Sequence, residues 1–355
     1  MSPRIISDIP GVPDHPEIKL GRVGVLLVNL GTPDSTEVPD IRRYLAQFLS
    51  DRRVIELNPI LWKVILHGII LRTRPPKTAE AYRAIWMTET NESPLRLYTR
   101  AEAAGLAERL DPPGDAVVVD WAMRYGNPSI GERMRSLQAA GCDRILIVPL
   151  YPQYSASTTG TVIDEVAREL LDLRWQPAVR TLPAFHDDPV YIEAVATGIE
   201  RHLASLDWEP EVILASFHGL PKRYFEAGDP YHCHCAKTAR MVRERLGLPA
   251  DRFRLTFQSR FGREEWLQPY TDKTIEALAQ EGVKRLAVVT PGFVADCVET
   301  LEEIDMQGRE TFEEAGGTHF SAIPCLNDSD EAITMLAALV TRELGGWWTS
   351  GNAGG

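Results

Sequence analysis

Residues 213–231 read ILASFHGLPKRYFEAGDPY. The apolar run Ile213-Leu214-Ala215 leads into Ser216-Phe217, and then a histidine, a glycine and a proline arrive within four residues. An apolar run stopped in this way predicts a buried strand with His218 at its carboxyl end. Gly219 lets another group approach the backbone closely, and Pro221 fixes the turn. An imidazole at such a position accepts a proton or binds a transition metal near neutral pH. A lone strand-end histidine also serves packing, so the rest of the chain decides its meaning.

The pattern recurs. Stretches 23–28 (VGVLLV), 117–121 (VVVDW), 144–149 (RILIVP), 211–216 (EVILAS), 252–257 (RFRLTF) and 285–289 (RLAVV) read as strands. Helical periodicity lies between and around them at 36–49, 78–86, 98–110, 129–140, 161–172, 189–205, 233–246, 271–281, 298–314 and 329–344. Strand–helix alternation predicts an α/β protein with parallel sheets covered on both faces. The strands split three and three around 175–188. The halves also echo each other: one strand runs into NLGTP and its counterpart into FHGLP.

The bulk numbers agree with a soluble-type globular chain. There are 355 residues, a prior for two domains, with 44% hydrophobic and 25% charged side chains. The net charge of −12 and the absence of a basic block argue against a nucleic-acid partner. Five cysteines in a chain this long suggest a reducing, cytoplasmic setting rather than a disulfide framework. The first twenty residues lack a continuous apolar core and read as a loose arm, not a signal peptide. The ending GGWWTSGNAGG reads as frayed beyond its tryptophans. Segment 59–71, PILWKVILHGIIL, is too short to span a bilayer. It fits either a core helix or a hydrophobic lip that grips an apolar ligand or dips into a membrane surface. Arg72, Arg74 and Lys77 follow it, as an interfacial segment would have.

In open parallel sheets, ligands sit beyond the carboxyl ends of the strands. Those ends carry Asn29-Leu30-Gly31, Arg124-Tyr125, Tyr151 to Ser155, His218, Gln258-Ser259, and Pro291-Gly292-Phe293 followed by Asp296 and Glu299. If 296–305 is a regular helix, Asp296, Glu299 and Glu303 share one face. Such a row fits a solvated acidic face or a line that carries protons or a hard cation. No dinucleotide or P-loop fingerprint is present. The run YHCHC at 231–235 is a poor metal site, because consecutive residues do not converge on one ion and no distant pair completes a tetrahedral set.

Read together, SFHGLPKRYFEAGDPY, LLVNLGTP (26–33), MRYGNPSI (123–130), YPQYSASTTG (151–160), FQSRFGREEWLQPYTD (257–272) and PGFVADCVETLEEID (291–305) resemble ferrochelatase segments in family order, over about 22–345. That family inserts ferrous iron into a porphyrin to make haem. The resemblance implies a chelatase-like pair of Rossmann-like domains, 20–185 and 186–328, with the active site in the cleft between them. The helix at 329–345 is expected to pack back on the first domain. It implies His218 and Glu299 as catalytic and metal-binding residues, and Asp296 and Glu303 as a proton or metal path. Leu30, Arg124, Tyr125, Tyr151 and Trp266 are the implied porphyrin contacts, with 59–71 as the hydrophobic lip.

The chemistry is coherent with that resemblance. A flat apolar macrocycle needs a wide aromatic and aliphatic cleft. Two N–H protons must leave as the metal enters, and neutral His218 suits their removal. Some family members carry a [2Fe–2S] cluster. Here Ala156 stands at the internal cysteine position and no cysteine follows Cys325, so the expectation is no cluster and no required cofactor, with Fe2+ as substrate. Cys297 stands where some relatives have histidine. Leu30 stands where coproporphyrin-type enzymes tend to have tyrosine, which favours protoporphyrin IX. The expected state is a monomer or homodimer with peripheral membrane contact through 59–71. Two other readings compete. A cobalt or sirohydrochlorin chelatase would want several basic residues in its cleft. A haem or metal carrier would leave the Asp296/Glu299/Glu303 row unexplained.

Overall fold

The computed structural model describes residues 4–5, 19–110, 116–262 and 264–348. Most of the expected N-terminal arm, and the chain beyond Trp348, lie outside them. Two short strands, β1 (Arg4–Ile5) and β2 (Lys19–Leu20), pair antiparallel ahead of the main fold. The first large sheet holds β3 (Arg22–Thr32), β4 (Val117–Gly126), β5 (Cys142–Pro149) and β6 (Ala178–Thr181). The second holds β7 (Val212–His218), β8 (Phe253–Gln258), β9 (Arg285–Val289) and β10 (His319–Ile323).

Both sheets are parallel throughout. Their orders are β4-β3-β5-β6 and β10-β9-β7-β8. Counted within each sheet these are the same topology, 2-1-3-4, so the weak NLGTP/FHGLP echo reflects a repeated architecture. The sequence missed β6 and β10 for a simple reason. Both are edge strands, and AVRT has no buried residue to give it an apolar run. The central strands are apolar because both faces are covered: Val25, Leu26, Leu27 and Val28 are all fully buried.

A crossover in this topology runs to one side of the first strand for the second strand and to the other side for the third. The gap between first and third strands is therefore open at its carboxyl end. In the first sheet that gap is flanked by Leu30 and Tyr151, in the second by His218 and the Pro291 loop. Helix Asp330–Glu343 packs on Pro94–Leu110 of the first half and on Pro189–Ala204. It adds Leu336, Leu339 and Val340 to a core shared with Val25 and Leu27 of β3 and Ile213 of β7.

The 59–71 segment is not a core helix. It forms an α-helix over Pro59–Ile65 that widens to a π-helix over Leu66–Ile70. Ile60 is 80% exposed, Leu61 60% and Val64 67%. Asn58 caps its start by accepting from the Ile60 and Leu61 N–H groups. Trp62 and Leu66 turn inward to the Tyr44, Tyr82 and Tyr125 cluster.

Candidate active site

One cleft of about 1000 Å3 opens at both gaps. His218, Glu299, Glu303, Leu30, Tyr151 and Trp266 all line it. The first half contributes an aromatic and aliphatic wall that includes Tyr44, Phe48, Trp62 and Tyr82. The second half contributes the titratable side.

His218 closes β7. Its Nδ1 lies 2.6 Å from the Gly219 carbonyl oxygen. A carbonyl only accepts, so Nδ1 carries the hydrogen and Nε2 of the neutral ring keeps its lone pair. Behind the histidine, Gly219 N–H donates to Gln258 O at 2.7 Å, which ties the turn to β8. There is little room there: a Cβ on Gly219 would sit 2.7 Å from that oxygen and 3.2 Å from Trp266.

The acidic segment differs from the expected helix. Asp296 lies in the turn ahead of it, and Glu299–Gly308 is wound as a π-helix. The wider winding, with i→i+5 bonds, puts Glu299 and Glu303 about one turn apart and brings both to the cleft. Asp296 does not line it. Its carboxylate accepts from Thr300 Oγ1 at 2.8 Å and Asn327 Nδ2 at 2.7 Å, which holds it within the wall. Between the two acids and that turn, Cys297 lines the cleft and is almost fully buried.

Glu303 is gripped by Ser259. The serine N–H donates to Oε1 at 2.7 Å and its hydroxyl donates to Oε2. Ser259 adopts φ +66°, a left-handed conformation that aims both donors at one carboxylate. Gln258 fixes the helix itself by donating to Glu299 O at 2.7 Å, while its own oxygen accepts from Ser216 at 2.7 Å. Burial pushes the Glu303 carboxyl above the ordinary carboxylate range, against the opposing pull of the Ser259 bond and, when it is protonated, of His218. Gln258 and Ser259 stood on the rim in the sequence, but only their hydrogen bonds show that they orient the acids.

Arg124 and Tyr125 sit behind the cleft wall. Neither lines the cleft. Arg124 is buried, donates to Asp51 Oδ2 at 2.6 Å and to Thr161 O at 2.8 Å, and covers the Tyr125 ring at 4.4 Å. Tyr125 is fully buried, donates to the same Asp51 oxygen at 3.0 Å, and meets Phe48 edge-on at 5.1 Å. They back the wall rather than form it, because Asp51 satisfies both polar groups one layer behind Phe48.

The YHCHC run is helical. His232 lies against Phe257, His234 accepts from the Tyr154 N–H at 3.2 Å, Cys235 is buried and Cys233 is exposed. Among the described residues no group of three His, Cys, Asp or Glu side chains is arranged to hold a metal ion, and no helix is long and apolar enough to cross a membrane. Ala156 opens a short π-helix, and its N–H donates to Asp229 at 2.8 Å.

Two matching parallel sheets around a cleft with a histidine and carboxylates on one wall define a chelatase-type protein. A solved structure described as SirB from Bacillus subtilis with Fe3+ shares this fold at a TM-score of 0.53 with 12% identity, over 94% of this chain and 97% of that one. The ferrochelatase family model matches residues 22–344. The ferrochelatase of Rhizobium meliloti is 62% identical over 94% of this chain and 98% of its own. That of Allorhizobium ampelinum is 60% identical over 97% and 99%. The chain belongs to the ferrochelatase family.

Proposed function

We propose that this chain inserts ferrous iron into protoporphyrin IX to form protohaem, the terminal step of haem biosynthesis. The observation that carries the reading is the shared cleft. A proton-accepting Nε2 on His218 stands in the same cavity as Glu299, Glu303 and a wall of aromatic rings.

The reaction balances simply. A porphyrin carrying two N–H protons meets Fe2+, four nitrogens take the metal, and two protons leave. The apolar wall binds the macrocycle and excludes water. Leu30 and the exposed lip favour the less acidic protoporphyrin over a tetra-acid coproporphyrin. His218 Nε2 takes a pyrrole proton as general base. The resulting imidazolium is stabilised by the carboxylates on the same wall. Glu303, with its raised affinity for protons, receives and passes them on, and Asp296 is a further station behind the wall. Before Nε2 takes that proton, His218 serves with Glu299 as a transient ligand for the incoming iron, since imidazole and carboxylate both suit Fe2+. Iron is written here as substrate, and the mechanism calls on no resident cofactor. Segments 20–185 and 186–328 act as the two walls, and the lip rests on a membrane surface from the cytoplasmic side.

The test is an anaerobic assay with protoporphyrin IX and Fe2+, following loss of porphyrin fluorescence. Wild type should turn over. His218→Ala and Glu299→Gln should lose about 10^2–10^4-fold in kcat, as removal of acid–base groups does. Turnover with coproporphyrin alone would overturn the reading of Leu30 and the lip. Tight haem binding without turnover of either porphyrin would overturn the enzyme reading.

A further inference from the structure

The segment leaving His218 is held from two sides. On its own half, Lys222 N–H donates to Glu265 O and Leu267 N–H to Leu220 O, both at 2.9 Å. From this braced turn, two consecutive side chains reach the other half. Arg223 Nη1 donates to Glu56 Oε2 at 2.8 Å, and the Tyr224 hydroxyl donates to Val54 O at 3.0 Å. The same guanidinium donates through Nε to Glu264 Oε1 at 2.5 Å and lies 4.4 Å over the Tyr224 ring.

Val54 and Glu56 belong to the stretch that joins Asp51 to the lip helix. At its far end Asp51 is pinned by Arg124, and Arg53 is pinned to Asp164 at 2.5 and 2.9 Å. Its middle is fixed to the second half by the Arg223 and Tyr224 contacts. Val54, Arg223, Tyr224 and Glu264 all line the mouth of the cleft.

We propose that Arg223 and Tyr224 form a clasp across the cleft mouth, setting the position of the lip root relative to His218. Arg223 is thus a positioning residue, held between a carboxylate of each half, that orders the macrocycle's seat before it binds. The proposal rests on the reading of the cleft as the porphyrin site. It also makes a statement about the lip that does not depend on that reading.

The test compares Arg223→Ala, Glu56→Gln, their double variant and Tyr224→Phe in the full chain. Amide hydrogen exchange is read over Val54–Leu61 with no ligand, and KM and kcat with protoporphyrin IX and Fe2+. Glu56 is exposed, so Glu56→Gln keeps the fold. Exchange across Val54–Leu61 should speed up in each single variant, and the Arg223/Glu56 double should be no faster than its worse single. KM for porphyrin should rise about three- to ten-fold, the scale of one exposed ion pair and one hydrogen bond, with kcat within about two-fold. Unchanged lip exchange in Arg223→Ala and Glu56→Gln overturns the clasp. So does a KM effect that is additive in the double variant, which would mean that Arg223 acts on the substrate directly. If the wild type turns over no porphyrin, the functional reading fails while the exchange data still judge the clasp.

Discussion

Gly31→Ala is expected to damage the molecule more than any other single-methyl addition at this rim. Gly31 follows Leu30 and has φ +118°. A Cβ there would lie 1.8 Å from the Tyr125 carbonyl oxygen, 2.7 Å from its carbon and 2.9 Å from its nitrogen. All three are backbone atoms of the paired strand, so no side chain can rotate away. A relaxed contact needs about 3.5 Å, so β3 and β4 must part by roughly 1.5 Å at their carboxyl ends. The backbone strain costs about 1–3 kcal/mol, and each ladder hydrogen bond broken adds about 1 kcal/mol. A total near 4 kcal/mol lowers Tm by about 5 °C in a chain of this size. Gly21→Ala is the control. Its φ is +101° but no heavy atom stands within 4 Å of the added Cβ, so it carries the strain without the clash. Differential scanning calorimetry of both variants beside the wild type decides the matter. If Gly31→Ala melts within about 1 °C of Gly21→Ala, the reasoning from close backbone approach is wrong.

Three further outcomes follow from the geometry. Arg124→Ala takes from Asp51, whose side chain is 7% exposed, its buried counter-charge and should cost about 3–5 kcal/mol in urea unfolding; a loss under about 1 kcal/mol would mean that the pair is not needed. Glu102 is fully buried with neither carboxylate oxygen partnered, and burial raises its pKa well above the ordinary 4.5, helped by Asp328. The folded state therefore keeps a proton that the unfolded chain releases, so stability falls as pH rises above the carboxylate range, by up to about 1.4 kcal/mol per pH unit. Glu102→Gln should flatten that slope between pH 5 and 8, and an unchanged slope assigns the dependence elsewhere. Replacing Ile60, Leu61 and Val64 together by Ser should alter Tm little, because all three are exposed, yet abolish flotation with anionic vesicles; undiminished flotation would remove the lip from membrane contact.

How far the sequence carried depends on what each residue does. The central strands were legible because burial on both faces makes them apolar without interruption. That His218, Glu299 and Glu303 line one cleft could be anticipated because strand ends in parallel sheets are where chemistry collects, and because the surrounding segments resemble a known family. Arg124 and Tyr125 were placed on the rim by the sequence but lie behind it, for a physical reason. A strand end supplies side chains to two layers, and only the position of Asp51 shows that these two belong to the rear one. The Glu299–Gly308 π-helix was invisible because apolar periodicity does not separate 3.6 from wider windings over ten residues. The Arg223 and Tyr224 contacts were out of reach, since they join positions 167 and 170 residues apart.

The two halves share a topology but not a task, and the division follows from what each strand end carries. Beyond the first sheet, Leu30 and the Tyr44, Phe48 and Tyr82 rings offer area and shape, and burial raises the pKa of the Tyr44 and Tyr82 hydroxyls so that they stay neutral. That wall is shaped to hold a flat apolar disc. Beyond the second sheet, His218 has its tautomer set by its own turn and Glu303 has its orientation set by Ser259. That wall carries the titratable groups of the cleft, set among Phe261, Trp266, Phe293 and Met306. Neither wall alone performs a metal insertion, which needs a macrocycle held flat against one surface and a base at its centre from the other. The register between them therefore matters as much as either wall. The shared core beneath the cleft fixes that register at its floor, and the Arg223 and Tyr224 contacts fix it at the mouth.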